Sequence, residues 1–263
     1  MQLKQNGSMV GIILAAGRGK RFGAEGENKT AALYEGKPMV AYGVELLAGA
    51  GGVVSVVVGV GEESVRKALA GYQVRFVRQT EPKGTGDAVR AAVDDLKKRR
   101  QKPEIVLVGY GDHMMFYDRQ MLGQLTDLHR RSKAAVTLVC TEYDQPDELC
   151  WGRIVRKADG GVERIVEHKD ANPKERQIRE LNAGFYAFDG NFLRENIGKL
   201  MPSAVTGEYY LTDLIKAARD ADLPVAGLVV PFEKVGLGIN TRQELSASQK
   251  LFEKYKNSRG VIK

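Results

Sequence analysis

Cysteine is nearly absent from this sequence: Cys140 and Cys150 are the two among 263 residues. Two thiols build no disulfide framework and supply no zinc ligand cluster. Cys140 closes an apolar run and is expected to be a core residue. Long apolar runs are missing too, and no stretch approaches the ~20 residues that a membrane helix needs, so no membrane partner is expected. The opening MQLKQNGS lacks the apolar region of a secretory leader, which predicts a cytoplasmic protein. Internal repeats and low-complexity segments are also absent. Residues 1–8 read as a flexible N-terminal tail and 258–263 as a C-terminal one, with one domain over 9–257.

What is present is ordinary for a globular chain: 43% apolar and 28% charged residues, enough to bury a large core. The net charge of +7 admits nucleic acid, a membrane surface or anionic small molecules as partners. The densest basic run, Lys97–Arg100, ends an amphipathic stretch, where cations suit a helix C-terminus. No aromatic residues interleave it, so it reads as a solvated helix end and no nucleic-acid partner is expected.

Strand-like runs recur at Val10–Ala15, Val53–Val60, Val74–Val77, Ile105–Val108 and Ala135–Val139. Helix-period stretches separate them at Met39–Ala50, Glu62–Ala70, Asp87–Arg100 and Met121–Ser132. Continuous Val/Ile runs alternating with helices predict an α/β fold: a Rossmann-like, mainly parallel sheet flanked by helices. Ligands of such sheets sit beyond the carboxyl ends of the strands. From Trp151 the strands shorten (Arg153–Lys157, Val162–Glu167, Gly184–Phe188), and residues 151–188 are expected to form a small antiparallel subregion beside the first sheet. A helix, Arg242–Tyr255, closes the chain.

The first strand runs into LAAGRGKRFG, where glycines and cations crowd together as a phosphate chain requires. The Walker spacing is not met, and the dinucleotide fingerprint fails at Phe22, where its third glycine belongs. A strand followed by Leu-Ala-Ala-Gly-x-Gly-x-Arg, a loop and a lysine fits from Leu14 to Arg21, with Lys29 as the lysine; an ordinary glycine-rich turn is the bland alternative. Loops after later strands carry Gln79-Thr80-Glu81-Pro82-Lys83-Gly84-Thr85-Gly86 and Gly109-Tyr110-Gly111-Asp112. An aspartate flanked by glycines at a strand end can approach a ligand or metal, or it can cap a helix. Cys150-Trp151-Gly152-Arg153, Glu167-His168-Lys169-Asp170, Asn182-Ala183-Gly184, Gly207–Asp213 and Gly238–Arg242 add short amides and carboxylates beside glycines, as hydroxyl-rich ligands require.

In this order the segments resemble the sugar-nucleotide pyrophosphorylases of nucleotidyltransferase fold. The likeness is to the N-terminal uridylyltransferase half of the bacterial bifunctional N-acetylglucosamine-1-phosphate uridylyltransferase/glucosamine-1-phosphate acetyltransferases. It runs from about Val10 to Ser246, through LAAGRGKR, QTEPKGTGDAV, WGRI, IVEHKDA, RQIRELNAGFYAFD and GEYYLTD. The resemblance implies that Leu14, Ala16 and Gly17 hold uracil and ribose, that Gly19, Arg21 and Lys29 face phosphates, and that Gln79, Gly84 and Thr85 finish the uridine pocket. It further implies that Asp112 and Asn240 ligate Mg²⁺, and that Gly152, Glu167, Asn182, Tyr210 and Thr212 hold the sugar phosphate. Tyr110 stands with the substrate-binding candidates, and Arg21, Lys29 and Asp112 with the catalytic ones.

The sequence departs from the family pattern at Asn28 (usually proline), Lys83 (usually leucine), Asp87 (usually histidine) and Met114 (usually proline). No hexapeptide repeat of the acetyltransferase half occurs, so acetyl transfer is not expected and a monomer or weak dimer is. The implied reaction is UTP plus N-acetylglucosamine 1-phosphate giving UDP-N-acetylglucosamine and pyrophosphate. It needs no histidine, leaving His113, His129 and His168 as bystanders. Another hexose or hexosamine 1-phosphate, dTTP, or a nucleotide-sugar-binding regulator remain the alternatives.

Overall fold

The residues MVGIILA can sit in the middle of a sheet because both faces of the strand are apolar. In the computed structural model, which describes residues 8–17, 19, 22 and 27–258, they form β1 (Met9–Ala15). Ile12 and Leu14 enter one core layer and Ile13 and Ala15 the other. On either side lie parallel neighbours, β4 (Val54–Val58) and β6 (Ile105–Tyr110), and β5 (Val74–Arg78) continues the sheet beyond β4. Each fully buried aliphatic side chain in these strands contributes about 1.5–3 kcal/mol of hydrophobic stabilisation.

The rest of the main sheet comprises β7 (Val136–Glu142), β10 (Glu180–Asp189) and β11 (Val225–Val229), in the order β11-β7-β10-β6-β1-β4-β5. All are parallel except β10, which runs antiparallel between β6 and β7. The segment Gly184–Phe188, expected beside the first sheet, therefore lies inside it. Phe185, Tyr186, Ala187 and Phe188 are all buried, so both faces of β10 demand cover, which only a central position gives. The antiparallel element that does stand off the sheet is the hairpin of β8 (Arg153–Arg156) and β9 (Val162–Val166), joined to β10 through Leu181 and Arg153. A two-stranded ribbon, β2 (Leu33–Tyr34) with β3 (Lys37–Pro38), follows the first loop.

Helices cover both faces. On the Ile13 side lie α1 (Met39–Ala48), α4 (Arg119–Ser132) and α8 (Arg242–Ser258). On the Ile12 side lie α3 (Thr85–Lys98), α6 (Gly190–Asn196) and α7 (Asp213–Asp220). Short helices α2 (Glu62–Ala68) and α5 (Pro173–Arg176) complete the set. The Lys97–Arg100 run is a solvated helix end: Lys97 pairs with Asp94 and Arg99 with Asp95. Among the described residues no helix is long and apolar enough to cross a membrane. Cys140 is buried in the core, and both cysteines are free.

This arrangement gathers the loops named above. Leu14 pairs with Tyr110 and Ala15 with Val58, so the turns after β1, β4 and β6 emerge together. Gln79 follows β5 at the same edge, its N–H donating to the Val58 carbonyl. Because β10 is antiparallel, its first residues, not its last, reach that edge, which brings Asn182 there.

Candidate active site

A cavity of about 750 Å³ opens at this sheet edge. Its walls include Leu14, Ala16, Gly17 and Gly19 after β1, then Gln79, Gly84 and Thr85, then Tyr110 and Asp112, and finally Lys29 and Asn240. Eleven residues singled out from the sequence thus share one space. Arg21 lies outside the described residues, as do Arg18, Lys20 and 23–26.

Asn28 organises the first wall. It is buried, and its amide nitrogen lies 2.8 Å from the Ala15 carbonyl, 3.1 Å from that of Gly17 and 2.9 Å from that of Val60. Its Oδ1 accepts from the backbone N–H and hydroxyl of Thr30. A proline could make none of these bonds, so the departure at position 28 is a different way of fixing the loop. It leaves Lys29 on the cavity wall, where the lysine forms an ion pair with Asp112 and donates to Asn240 Oδ1 at 2.8 Å.

Asp112 and Asn240 are brought together by backbone. The Ile239 N–H donates to the Asp112 carbonyl at 3.1 Å. At the start of α8, Glu244 accepts from the N–H groups of Asn240 and Thr241, while its own N–H donates to the Thr241 hydroxyl, a reciprocal cap that holds Asn240 in place. Behind Asp112, His113 is enclosed by Trp151 (ring centroids 4.5 Å apart) and Tyr117. Burial pushes its pKa down to about 4, with Asp112 opposing, so it is neutral at pH 7. Met114, in the place of the family's proline, is buried against Gly43 and Gly109.

The second wall rests on glycine. Gly84 has φ +107°, and a Cβ there would stand 2.5 Å from the Tyr209 carbonyl oxygen. The Gly86 N–H donates to that oxygen, the Tyr209 N–H to the Lys83 carbonyl, and the Leu211 N–H to the Thr85 hydroxyl. The loop before α3 and the loop before α7 are thus one paired structure.

Next to this cavity lies a second cluster. Gly152 precedes β8 and Glu167 follows β9, so the hairpin register places them opposite each other. The Asn182 N–H donates to the Gly152 carbonyl at 2.9 Å, and Thr212 donates to Glu167 Oε1 at 2.7 Å. Burial raises the Glu167 carboxyl above its ordinary pKa, against the lowering effect of the Thr212 hydroxyl. A bulge in β10 between Asn182 and Tyr186, with Gly184 at φ +70°, turns Asn182 Nδ2 onto the Tyr186 hydroxyl at 2.6 Å. That hydroxyl lies 3.4 Å from the hydroxyl of Tyr110, which joins the two clusters. Tyr210 stands behind the cavity wall: its hydroxyl bonds Thr206, which lines the cavity, at 2.7 Å and faces Asp170.

Sequence reasoning missed Asn28 as a clamp, Tyr186 as the partner of Asn182 and Asp87 as the partner of Gln79. The unusual residues at 28 and 87 were visible, but their partners are set by the fold.

Donors for a cation are limited. Among the described residues no group of three or more His, Cys, Asp or Glu could hold a metal ion. One carboxylate and one amide oxygen do converge on a single cation, the Lys29 ammonium. Two hard oxygens suit Mg²⁺, which keeps waters and takes its other ligands from substrate phosphates.

The chain matches the family model of the MobA-like NTP transferase domain over residues 11–179. It is 34% identical over 249 residues to the bifunctional protein GlmU of Clostridium acetobutylicum, covering 94% of this chain and 53% of that protein. With the bifunctional protein GlmU of Clostridium botulinum it shares 34% identity over 252 residues, with 95% and 53% covered. The chain spans about half the length of the curated relatives it matches. A solved UDP-glucose pyrophosphorylase complexed with UDP-glucose superimposes with TM-score 0.72 at 19% identity, covering 94% of this chain and 99% of that one. A Bacillus anthracis structure described as a glucose-1-phosphate thymidylyltransferase gives TM-score 0.70 at 21% identity, over 93% and 95%. At these identities the two structures establish the shared fold.

Proposed function

The chain belongs to the MobA-like NTP transferase family and is a nucleotidyltransferase, and we propose that it joins UTP to N-acetylglucosamine 1-phosphate, releasing pyrophosphate. The observation that carries this reading is the meeting of Lys29, Asp112 and Asn240 beside the β1 loop, with Glu167 and Asn182 immediately beyond Tyr110. One cavity thus offers a polyphosphate site, and the adjoining cluster offers donors and acceptors for a sugar. The 34% identity to the GlmU proteins supports the choice of substrates.

In the proposed reaction, an oxygen of the sugar phosphate attacks the α-phosphorus of UTP in line with the departing pyrophosphate. The attacking group is already anionic, so no general base is required, and neutral His113 stays outside the chemistry. Catalysis is then positioning and charge neutralisation. Leu14, Ala16, Gly17 and Gly19 line the path of the nucleotide with close backbone approach. Gln79, Gly84 and Thr85 surround the base. Lys29 faces the phosphates, and the family resemblance assigns Arg21 to them as well. Gly152, Glu167, Asn182 and Thr212 orient the sugar, and Tyr210 supports the loop from outside. Asp112 and Asn240 are the residues that would hold Mg²⁺, which when bound neutralises charge on the phosphate oxygens of both substrates.

The test is pyrophosphate release by the purified chain across a panel of UTP, dTTP, CTP and ATP with several hexose and hexosamine 1-phosphates. UTP with N-acetylglucosamine 1-phosphate is expected to be the fastest pair. Faster turnover with dTTP or another sugar phosphate replaces the substrate assignment, and nucleotide-sugar binding without turnover on any pair replaces the enzyme by a regulator.

A further inference from the structure

Gln79 is buried in the wall of the nucleotide-side cavity, and its side-chain amide has two near neighbours. Its Nε2 donates to Asp87 Oδ2 at 2.7 Å and to the Gly84 carbonyl at 3.1 Å. The oxygen and nitrogen of a glutamine are told apart by their partners, and here both partners are acceptors. A carbonyl cannot donate, and an ionised carboxylate cannot either. Asp87 is kept company by Arg90, whose guanidinium bonds its other oxygen and lies over the Tyr209 ring at 5.4 Å. Both N–H groups of Gln79 are thus consumed. Its Oε1 takes no hydrogen bond from any described residue and is the acceptor this side chain retains.

We propose that Asp87 is a positioning residue for base selection, fixing Gln79 so that it meets the base of the nucleotide as a hydrogen-bond acceptor. The inference rests on the nucleotidyltransferase reading for its ligand, a nucleoside triphosphate. An acceptor suits the imide N3–H of uracil, whereas cytosine has a bare lone pair at that position. With the amide reversed the preference reverses, so the sense of one amide becomes a choice of base. The aspartate sits in the first turn of α3 and needs no contact with the nucleotide to exert this control. The charge-assisted bond to Asp87 is the shorter of the two, so the carboxylate, more than the Gly84 carbonyl, sets the orientation.

A double-mutant cycle tests it. Binding of UTP and CTP to the full chain is measured by calorimetry for wild type, Asp87→Asn, Gln79→Ala and the double variant, with a thermal melt of each. Asp87→Asn is expected to lower the UTP-over-CTP affinity ratio by about tenfold, since its amide can satisfy Gln79 in either sense. The loss should fall on the UTP side and on KM more than on kcat. In the Gln79→Ala background the same exchange should move the ratio by less than about twofold, because Asp87 acts through Gln79. An unchanged ratio in folded Asp87→Asn overturns the inference, as does an equal shift with and without Gln79. If Asp87→Asn does not fold, Arg90→Gln reports the same relay from the surface, and its shift should likewise vanish without Gln79. A wild type that binds CTP as well as UTP overturns the uridine assignment instead. The cycle then still decides the role of Asp87, sustained by a ratio that moves only when Gln79 is present and overturned by one that does not.

Discussion

Lys29 pairs with Asp112 across the cavity, and the same ammonium nitrogen donates to Asn240 at 2.8 Å. These three side chains come from positions far apart in the chain, and nothing but the fold joins them. Lys29 and Asp112 are both largely buried, with 13% and 20% of their side chains exposed. In such a setting a charge is neutralised by its neighbour more than by solvent. The arrangement is poised for a ligand that brings several negative charges and a cation of its own.

If Asp112 and Asn240 hold Mg²⁺ over the phosphates, Asp112→Ala should cut kcat by at least ~100-fold, a barrier increase of ~2.7 kcal/mol. Asn240→Ala should follow the same direction more mildly, because it removes a dipole and not a charge. Steady-state kinetics at saturating Mg²⁺, with a chelator-treated wild type as reference, checks both. Turnover in the chelated enzyme, or near-normal kcat in Asp112→Ala, would remove the metal from this site.

Asn182 ties the second cluster, proposed to hold the sugar, to Tyr186 and, through it, to Tyr110. Asn182→Ala leaves these polar groups short of a partner and is expected to cost ~1–3 kcal/mol, seen as a KM for the sugar phosphate raised roughly 5- to 150-fold. A rise in the KM for the nucleotide alone would place Asn182 in the other subsite.

Asn28 serves three carbonyls and two donors of Thr30. In Asn28→Ala more than one buried group is left unsatisfied, so a loss near ~3 kcal/mol is expected. For a chain of this size that corresponds to a melting temperature lower by roughly 6–12 °C. Thermal denaturation followed by circular dichroism would show it; an unshifted melt means that water replaces the amide at no cost.

His113 carries a pH signature. Its pKa in the folded chain is lowered to about 4, whereas the unfolded chain has the ordinary value near 6.5. The folded state therefore binds fewer protons, and stability is full above pH ~6.5 and lost as the pH falls from ~6.5 towards ~4. Spread over that window, His113 contributes about 3 kcal/mol of pH-dependent stability. His129 and His168 shift in the same direction, so the informative quantity is the difference between wild type and His113→Asn. Chemical denaturation at pH 7 and pH 5 should show a shallower pH dependence in the variant, and parallel curves would mean that His113 is not held neutral.

Local signals carried much of this protein. The strand before LAAGRGKR, the glycine–aspartate turn after β6 and the helix periods could be read because their causes lie within a few residues. What the sequence withheld is long-range. The strand Val225–Val229 is a half-buried edge strand after Pro224, and β7 offers it the parallel partner that fixes it. The position of β10 is likewise decided by two strands it does not adjoin in sequence. At the site, Gln79, Gly84, Asp112 and Asn240 were nameable, but Asn28 looked like a mere departure because its acceptors come from three separate carbonyls. Tyr210 shows the same limit: its local motif is strong, but only the fold sets its hydroxyl on Thr206, a residue of the cavity wall, and towards Asp170.

The placement of β10 between β6 and β7 has a consequence for how the chain is made. Until residue 189 has been synthesised, β6 and β7 each present an unpaired edge, and the two are parallel strands free to pair with each other in the gap. At about 5–20 residues per second, roughly 4–16 s separate the end of β6 from the end of β10 on the ribosome. For the last ~2–9 s of it, after β7 ends at Glu142, both edges lie open together. The antiparallel strand that carries Asn182 to the candidate site is therefore also the piece that joins β7 to β6, and a chain truncated before it would present edges prone to aggregate.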